Sequence, residues 1–406
     1  MAKSWNRLEV WLGLIVLGVG GIVLAVAGMW IYVSATATPL HPDAASVPSA
    51  ARPDSSRQWA EAVERGRQVM RAEAAEQNLP GVSIAVGIGN DLVWAEGFGF
   101  TDLDQRTTVT PQTRFRIGTA STVLTSAAVG MLVERGRLNL DDPIQKYVPE
   151  FGEKAWPVTL RQVMAHVAGI ARDGGDEGSL LSRRCERTIE GVHLIANDSL
   201  RFEPGTEYRF SNYGFILVSA AVEAAAGEPF LTFMRARIFD PLGMDGTMAD
   251  FTDTPVPDKA TSYFPRFAAD PRYGPHLMRE VDYSCYAGAA TFASTPSDLV
   301  RFGMAINNGR LLQPATVALL QGAQRLASGQ ETGYGLGWDI ENVLLGGEQT
   351  RAVGHDGDLL GGPVASLMTF PERGLVVSVI SNTSYANVEG IALKIAEAFS
   401  ARPGSR

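Results

Sequence analysis

The stretch "RFRIGTASTVLTSAAVGML", Arg114 to Leu132, decides the fold. It reads as a loop that delivers a run of hydroxyl side chains, Thr119, Ser121 and Thr122, to the start of a helix. Such residues suit an N-cap, and Gly136 supplies the stop. Thr119 and Thr122, three apart, fall on the same helix face, whereas Ser121 points to another.

Working outward, "VSIAVGI" (Val82–Ile88), the turn "GND" and "LVWAEGFGF" (Leu92–Phe100) predict a hairpin. From about Thr119 to about Asn308 the pattern is mostly helical, with glycine-terminated segments such as "TLRQVMAHVAG" and "YGFILVSAAVEAAAG". Strands return at the end of the chain: "GYGLGWDI" (Gly333–Ile340), then "VASLMTF" and "LVVSVIS" around the turn "PERG", before a closing amphipathic helix, Asn387–Ser400. Strands from both chain ends therefore share one antiparallel sheet flanked by helices, with an all-helical domain inserted. The expected class is α/β, with the sheet part at about 57–118 and 309–401 and the helical part at about 119–308. A cleft at the junction is the expected place for a site.

The 406 residues are 45% hydrophobic and 19% charged, with net charge −9. Such a chain buries a large core, and without a long basic stretch it offers nothing to nucleic acid. Val10–Val33 is free of charge and spans about 36 Å as a helix, enough for a hydrocarbon core of about 30 Å. Lys3 and Arg7 precede it, and Trp5, Trp11, Trp30 and Tyr32 lie near its ends. Small residues after it leave a cleaved signal peptide open, but the run exceeds the usual apolar core of a signal, about 7–15 residues. The expectation is a single-pass anchor at 10–33 with residues 1–9 cytoplasmic. A flexible Ala/Pro/Ser-rich stalk is expected at 34–56 and an extracytoplasmic (periplasmic or cell-surface) domain at 57–401. Cys185 and Cys285 are the only cysteines; pairing and two free buried thiols both stay open. No zinc spacing, phosphate loop or cofactor motif is present.

The segments resemble, in order, the serine β-lactamase and penicillin-binding-protein superfamily, most closely its class C-like branch of β-lactamases, D-peptidases, esterases and LACTB-type proteins. "FRIGTAST…LVERGRLNLDDPIQKYVPEF" carries the resemblance, with "VTLRQVMAHVAGI", "FEPGTEYRFSNYGF", "YAGAATFASTPSDLVRFG" and "GHDGDLLGG" behind it. The resemblance implies an acyl-enzyme hydrolase without cofactor. Its serine, in Ser-x-x-Lys, would be Thr119 and its lysine Thr122. The tyrosine of Tyr-x-Asn would be Phe210, in Phe210-Ser211-Asn212. The Lys/His-Thr/Ser-Gly strand would be His355-Asp356-Gly357, followed by the oxyanion-hole position Asp358.

Both candidate bases are thus replaced, and losing a general base typically costs 10²–10⁴-fold. Asp356 and Asp358 are expected to repel a substrate carboxylate and a developing oxyanion, and Thr119 to cap its helix. Asn212, His355, Asp356, Gly357 and Asp358 are the expected ligand-binding positions. The expectation is a pseudoenzyme that binds a peptide, a peptidoglycan fragment, an ester or a partner protein. The alternatives are a hydrolase acting through Thr119 or Ser121, and a membrane-tethered scaffold. Self-association enters by analogy with LACTB-like relatives.

Overall fold

The computed structural model describes residues 7–53, 57–171, 183–358 and 362–400. The charged loop "RDGGDEG" at 172–178 lies outside them. One sheet organises the chain. Its strands are β1 (Ser49–Ala51), β2 (Gly81–Ile88), β3 (Asp91–Asp102), β4 (Asp339–Leu345), β5 (Glu348–Asp358), β6 (Val364–Phe370) and β7 (Leu375–Ser381), in the order β1-β3-β2-β7-β6-β5-β4, with Thr107–Thr108 added against β3. All pairs are antiparallel, and the two chain ends meet where β7 pairs β2, Leu375 opposite Ile88. The central strands read as unbroken apolar runs because both sheet faces are covered.

On one face, Val82, Ile84, Met368, Val377 and Val379 pack against helices α2 (Ala60–Glu76) and α6 (Val388–Ser400). On the other, Ala85, Ala365, Leu367 and Val376 belong to the core that includes α3 (Ser121–Glu134), α4 (Asn212–Ala226) and α5 (Pro296–Asn307). The helix α5 lies on β2, β7 and β6, so residues 296–307 go with the sheet rather than with the inserted helices. Cys185 and Cys285 form a disulfide, with Cα atoms 4.9 Å apart.

Three expectations are corrected. "GYGLGWDI" is not one strand: Gly333–Trp338 is bent, irregular backbone with Tyr334 in an isolated bridge to Asp339, and β4 starts at Asp339. Glycines on either side of Tyr334 have positive φ, Gly333 at 71° and Gly337 at 91°, which a strand does not accept. Nor are the described residues of the expected 34–56 stalk, 34–53, loose. Apolar helix α1 runs Arg7–Thr36, and the chain docks almost at once. His41 is buried and stacks on Phe100, Leu40 N–H donates to Asn78 Oδ1 (2.7 Å), Val47 is buried, and β1 pairs β3 at the sheet edge. Thirdly, the sheet therefore begins at Ser49, not near 57. A stretch without periodicity can still pair at an edge, because the backbone supplies the bonds. Trp11–Thr36 is the one helix among the described residues long and apolar enough to cross a membrane unaided.

Candidate functional site

The segment ahead of Thr119 is held before the helix begins. Phe115–Arg116 pairs with Phe292–Ser294. The buried Arg116 guanidinium meets the buried Asp250 carboxylate, which also accepts from Lys259 Nζ at 3.0 Å. Gly118 turns with φ 50°, and Gly118–Ala120 form a 3₁₀ turn ahead of α3. Gly357 of β5 comes so close to that turn that a Cβ there would lie 1.9 Å from the Ile117 carbonyl oxygen. Glycine at this position lets the sheet and the helix start touch.

The contact explains what Thr119 does. Strand β4 covers β5 only as far as Gly354, opposite Asp339. Beyond it, one edge of β5 is open. Thr119 Oγ1 donates to the Asp356 carbonyl (3.0 Å) and accepts from the Asp358 N–H (3.3 Å), so the side chain fills the edge as a missing strand would. It does not cap α3, whose start carries no side-chain cap. The expected cap is corrected for that reason. The N–H expected for an oxyanion hole, that of Asp358, points at the hydroxyl. Thr119 is 8% exposed, while Ser121 and Thr122 are fully buried within α3. Burial removes Ser121 from any surface a substrate would reach.

A buried phenol that the motifs do not name sits beside these residues. Tyr334 Oη lies 2.9 Å from His355 Nε2 and 3.2 Å from His166 Nε2. The Ser211 N–H donates to His166 Nδ1 (3.2 Å), so Nε2 carries the His166 proton and donates to the phenol. The phenol in turn donates to His355 Nε2, and His355 Nδ1–H is left for the Asp356 carbonyl. Asp339 Oδ2 lies 3.8 Å from the same nitrogen. Burial, with a smaller push from His355, lowers the His166 pKa to about 3 and keeps the ring neutral. Burial also raises the Tyr334 phenol well above its ordinary value, with Asp339 adding to the shift, so its hydroxyl stays protonated.

The expected site residues converge here except for the side chains of Asp356 and Asp358. His166, at φ 57°, accepts the Arg209 N–H on its carbonyl and the Ser211 N–H on its ring. These two bonds flank Phe210 and set its ring 4.3 Å from His166 and 5.9 Å from His355. Asn212 follows as the first residue of α4. Tyr208, two residues earlier, reaches the same cluster, 5.9 Å from Tyr334 between ring centroids, and burial raises its phenol too.

Asp356 turns the other way. Along β5, Val353 joins the core on the α3 side and Ala352 the core on the α6 side. Alternation puts His355 and Gly357 towards α3 and the Asp356 side chain towards α6. There it lines a pocket with Glu341 and Glu389. Burial first, opposed by its cross-strand neighbour Ser366 and reinforced by Glu389, Asp339 and Glu341, raises its pKa to about 7. The expectation that Asp356 repels a ligand in the cleft is corrected: only its backbone faces that way. Asp358 continues the same parity, and its carboxylate is exposed at the strand end.

Reading "GYGLGWDI" as a strand hides Tyr334. The glycines there mark a turn, and the turn docks on α3: Trp338 Nε1 donates to Ser126 Oγ (3.0 Å), and Ser126 Oγ to the Leu336 carbonyl (2.6 Å). That docking swings Tyr334 between the histidines. Among the described residues, no group of three or more His, Cys, Asp or Glu is arranged to hold a metal.

An antiparallel sheet backed by helices, an inserted helical block, and a helix start facing a His-x-Gly strand define the β-lactamase and penicillin-binding-protein class. The chain belongs to the beta-lactamase family, whose family model matches residues 67–402. It is 26% identical over 454 aligned positions to "Serine beta-lactamase-like protein LACTB, mitochondrial" of Homo sapiens, covering 87% of this chain and 82% of the relative. It is 24% identical to "Penicillin-binding protein 4*" of Bacillus subtilis (strain 168), covering 76% and 70%. Among solved structures it is similar to D-amino acid amidase from Ochrobactrum anthropi SV3, with TM-score 0.69, 22% identity and coverage of 83% and 98%. It is also similar to the octameric penicillin-binding protein homologue from Pyrococcus abyssi, with TM-score 0.68, 23% identity and coverage of 84% and 78%.

Proposed function

We propose that the protein is a catalytically impaired member of its family that works by binding, with a peptide, a peptidoglycan fragment, an ester-like molecule or a partner protein as its ligand. One observation carries the reading: both bonds of the Thr119 hydroxyl are spent on the β5 edge. Its proton goes to a carbonyl, which cannot act as a base at neutral pH. The position one turn on is Thr122, and Phe210 has no proton to move. Losing a whole cooperating set can cost on the order of 10⁶ in rate. The anchor is part of the proposal: α1 spans the bilayer, the amino terminus is cytoplasmic, and the disulfide-bonded domain lies outside.

A second reading, a residual hydrolase on Thr119, draws on Tyr334, a phenol linked to His355 beside the site. Burial counts against it, because a base must give up the proton that Tyr334 is held to keep. The test is turnover of a chromogenic cephalosporin and of short-chain nitrophenyl esters by the full chain in detergent, compared with Thr119→Ala. We expect no turnover above that variant, and saturable binding of peptidoglycan fragments or D-amino-acid peptides that both proteins share. Turnover lost in Thr119→Ala would replace the binding reading with the hydrolase.

A further inference from the structure

The outer end of α1 does not hang free of the domain. Arg266 Nη1 donates to the Thr36 carbonyl (3.2 Å), and Arg266 Nη2 to Thr36 Oγ1 (2.7 Å). Trp30 Nε1 donates to Tyr273 Oη at 3.1 Å. Arg266 and Tyr273 flank the loop "RFAADPRY", Arg266–Tyr273, which joins the paired strands Tyr263–Pro265 and Pro275–Leu277. On the other side the chain is pinned by Leu40 and His41, so only residues 37–39 separate the helix from the packed domain.

Depth follows from helix geometry. From Trp11 to Trp30 the helix rises about 30 Å, the thickness of a hydrocarbon core. Thr36 lies about 9 Å further out. A loop bonded to Thr36 at one flank and to Trp30 at the other descends along the helix to the hydrocarbon boundary. Its composition suits that layer: Phe267 and Tyr273 in edge contact at 5.7 Å, exposed Ala268 and Ala269, Pro271, and the guanidinium groups of Arg266 and Arg272. The one carboxylate, Asp270, is paired with Arg272 at 2.6 Å.

We propose that the loop Arg266–Tyr273 is a membrane-docking surface that sits among the phospholipid headgroups around α1 and fixes the domain's orientation on the bilayer. The proposal rests on the reading of α1 as an uncleaved anchor. Its partner is the phosphate layer of the bilayer that α1 crosses, met by Arg266 and Arg272, with Phe267 and Tyr273 at the apolar boundary.

The test uses the full chain in phosphatidylcholine vesicles containing phosphatidylglycerol. The native cysteines are joined to each other, so a single added cysteine takes the label. Bimane is placed in turn at Ala269→Cys, at Gly20→Cys within α1, and at Leu344→Cys, which is exposed on the far edge strand. Quenching by headgroup-nitroxide lipid is compared with quenching by aqueous iodide. Ala269 should be quenched several-fold more by lipid nitroxide than Leu344 is, and should be shielded from iodide. Arg266→Glu should lower the lipid quenching at Ala269 and leave Gly20 unchanged. If Gly20 is buried in lipid while Ala269 behaves like Leu344, the docking surface is wrong and the anchor stands. If Gly20 is open to iodide, the anchor is wrong and the docking falls with it. Ala268→Cys repeats the measurement in case the label at 269 disturbs the loop.

Discussion

The two faces of strand β5 carry the same three-residue motif into different physical settings. Towards α3, His355 and Gly357 join a hydrogen-bonded cluster: Tyr334 between two histidines, Phe210 beside them, and Gly357 pressed on the start of α3. Towards α6, one residue away, Asp356 shares a pocket with Glu341 and Glu389, and burial lifts its pKa to about 7. A motif written as consecutive letters is thus two sites. A substitution in its middle letter changes the charge behind the sheet and leaves the side chains of the cleft alone.

The strongest test of this division is Gly357→Ala. A methyl group 1.9 Å from a backbone oxygen cannot be accommodated without moving β5 off α3. We expect a loss of about 3 kcal/mol, the upper end of overpacking costs, measured by denaturant unfolding. An unchanged midpoint would mean that the contact between sheet and helix start is looser than described.

The second test separates the faces by pH. Asp356 has a folded pKa above its unfolded value of 3.8, so its unfavourable contribution is absent below about pH 4. It grows as the pH rises and is complete above about 7. Asp356→Asn should therefore add about 2–3 kcal/mol at pH 8, less than the full conversion at about 1.4 kcal/mol per pKa unit because the partly exposed carboxylate is screened by water, and almost nothing at pH 4. His166 works the other way. Its folded pKa, about 3, lies below the unfolded 6.5, so stability from the α3 face is complete above about 6.5 and is lost as the pH falls towards 3. A pH-independent effect of Asp356→Asn would place its carboxylate in solvent.

Tyr334→Phe comes next. It leaves buried nitrogens of His166 and His355 without their shared partner, a loss of about 1–3 kcal/mol, read as a lower thermal midpoint. His166 should stay neutral down to acidic pH in an NMR titration, because the burial that holds its pKa down is kept by phenylalanine. The smallest effect belongs to Thr119. Thr119→Val keeps the shape and removes the hydroxyl that closes the β5 edge, at a cost of about 1–2 kcal/mol, while Thr119→Ser should cost clearly less. Equal losses would show that the methyl, not the hydroxyl, is what the site uses.

Much of this was legible in the sequence, and the exceptions have physical causes. Both hairpins, the central strands and α3 follow from apolar runs and glycine stops, which local sequence encodes. The family motifs placed Thr119, Phe210, Asn212, His355 and Gly357 in one region. The motif alone did not give the direction of the Asp356 side chain; strand alternation did, once β5 was known to face α6. Tyr334 was hidden because its role comes from the docking of Trp338 and Leu336 on Ser126, a tertiary contact with no local signature. The packing of residues 38–51 on the sheet was hidden for a related reason: edge pairing and one buried histidine leave no periodic trace.

The central claim is that the Thr119 hydroxyl is a structural bond rather than a nucleophile. Intact-mass spectrometry of the full chain after prolonged exposure to a fluorophosphonate tests it most directly, alongside a Thr119→Ser, Thr122→Lys, Phe210→Tyr variant that leaves Asp356 in place. We expect no adduct on the native chain, and an adduct at residue 119 in the triple variant. A covalent adduct mapped to Thr119 of the native chain, and absent from Thr119→Ala, would contradict the account.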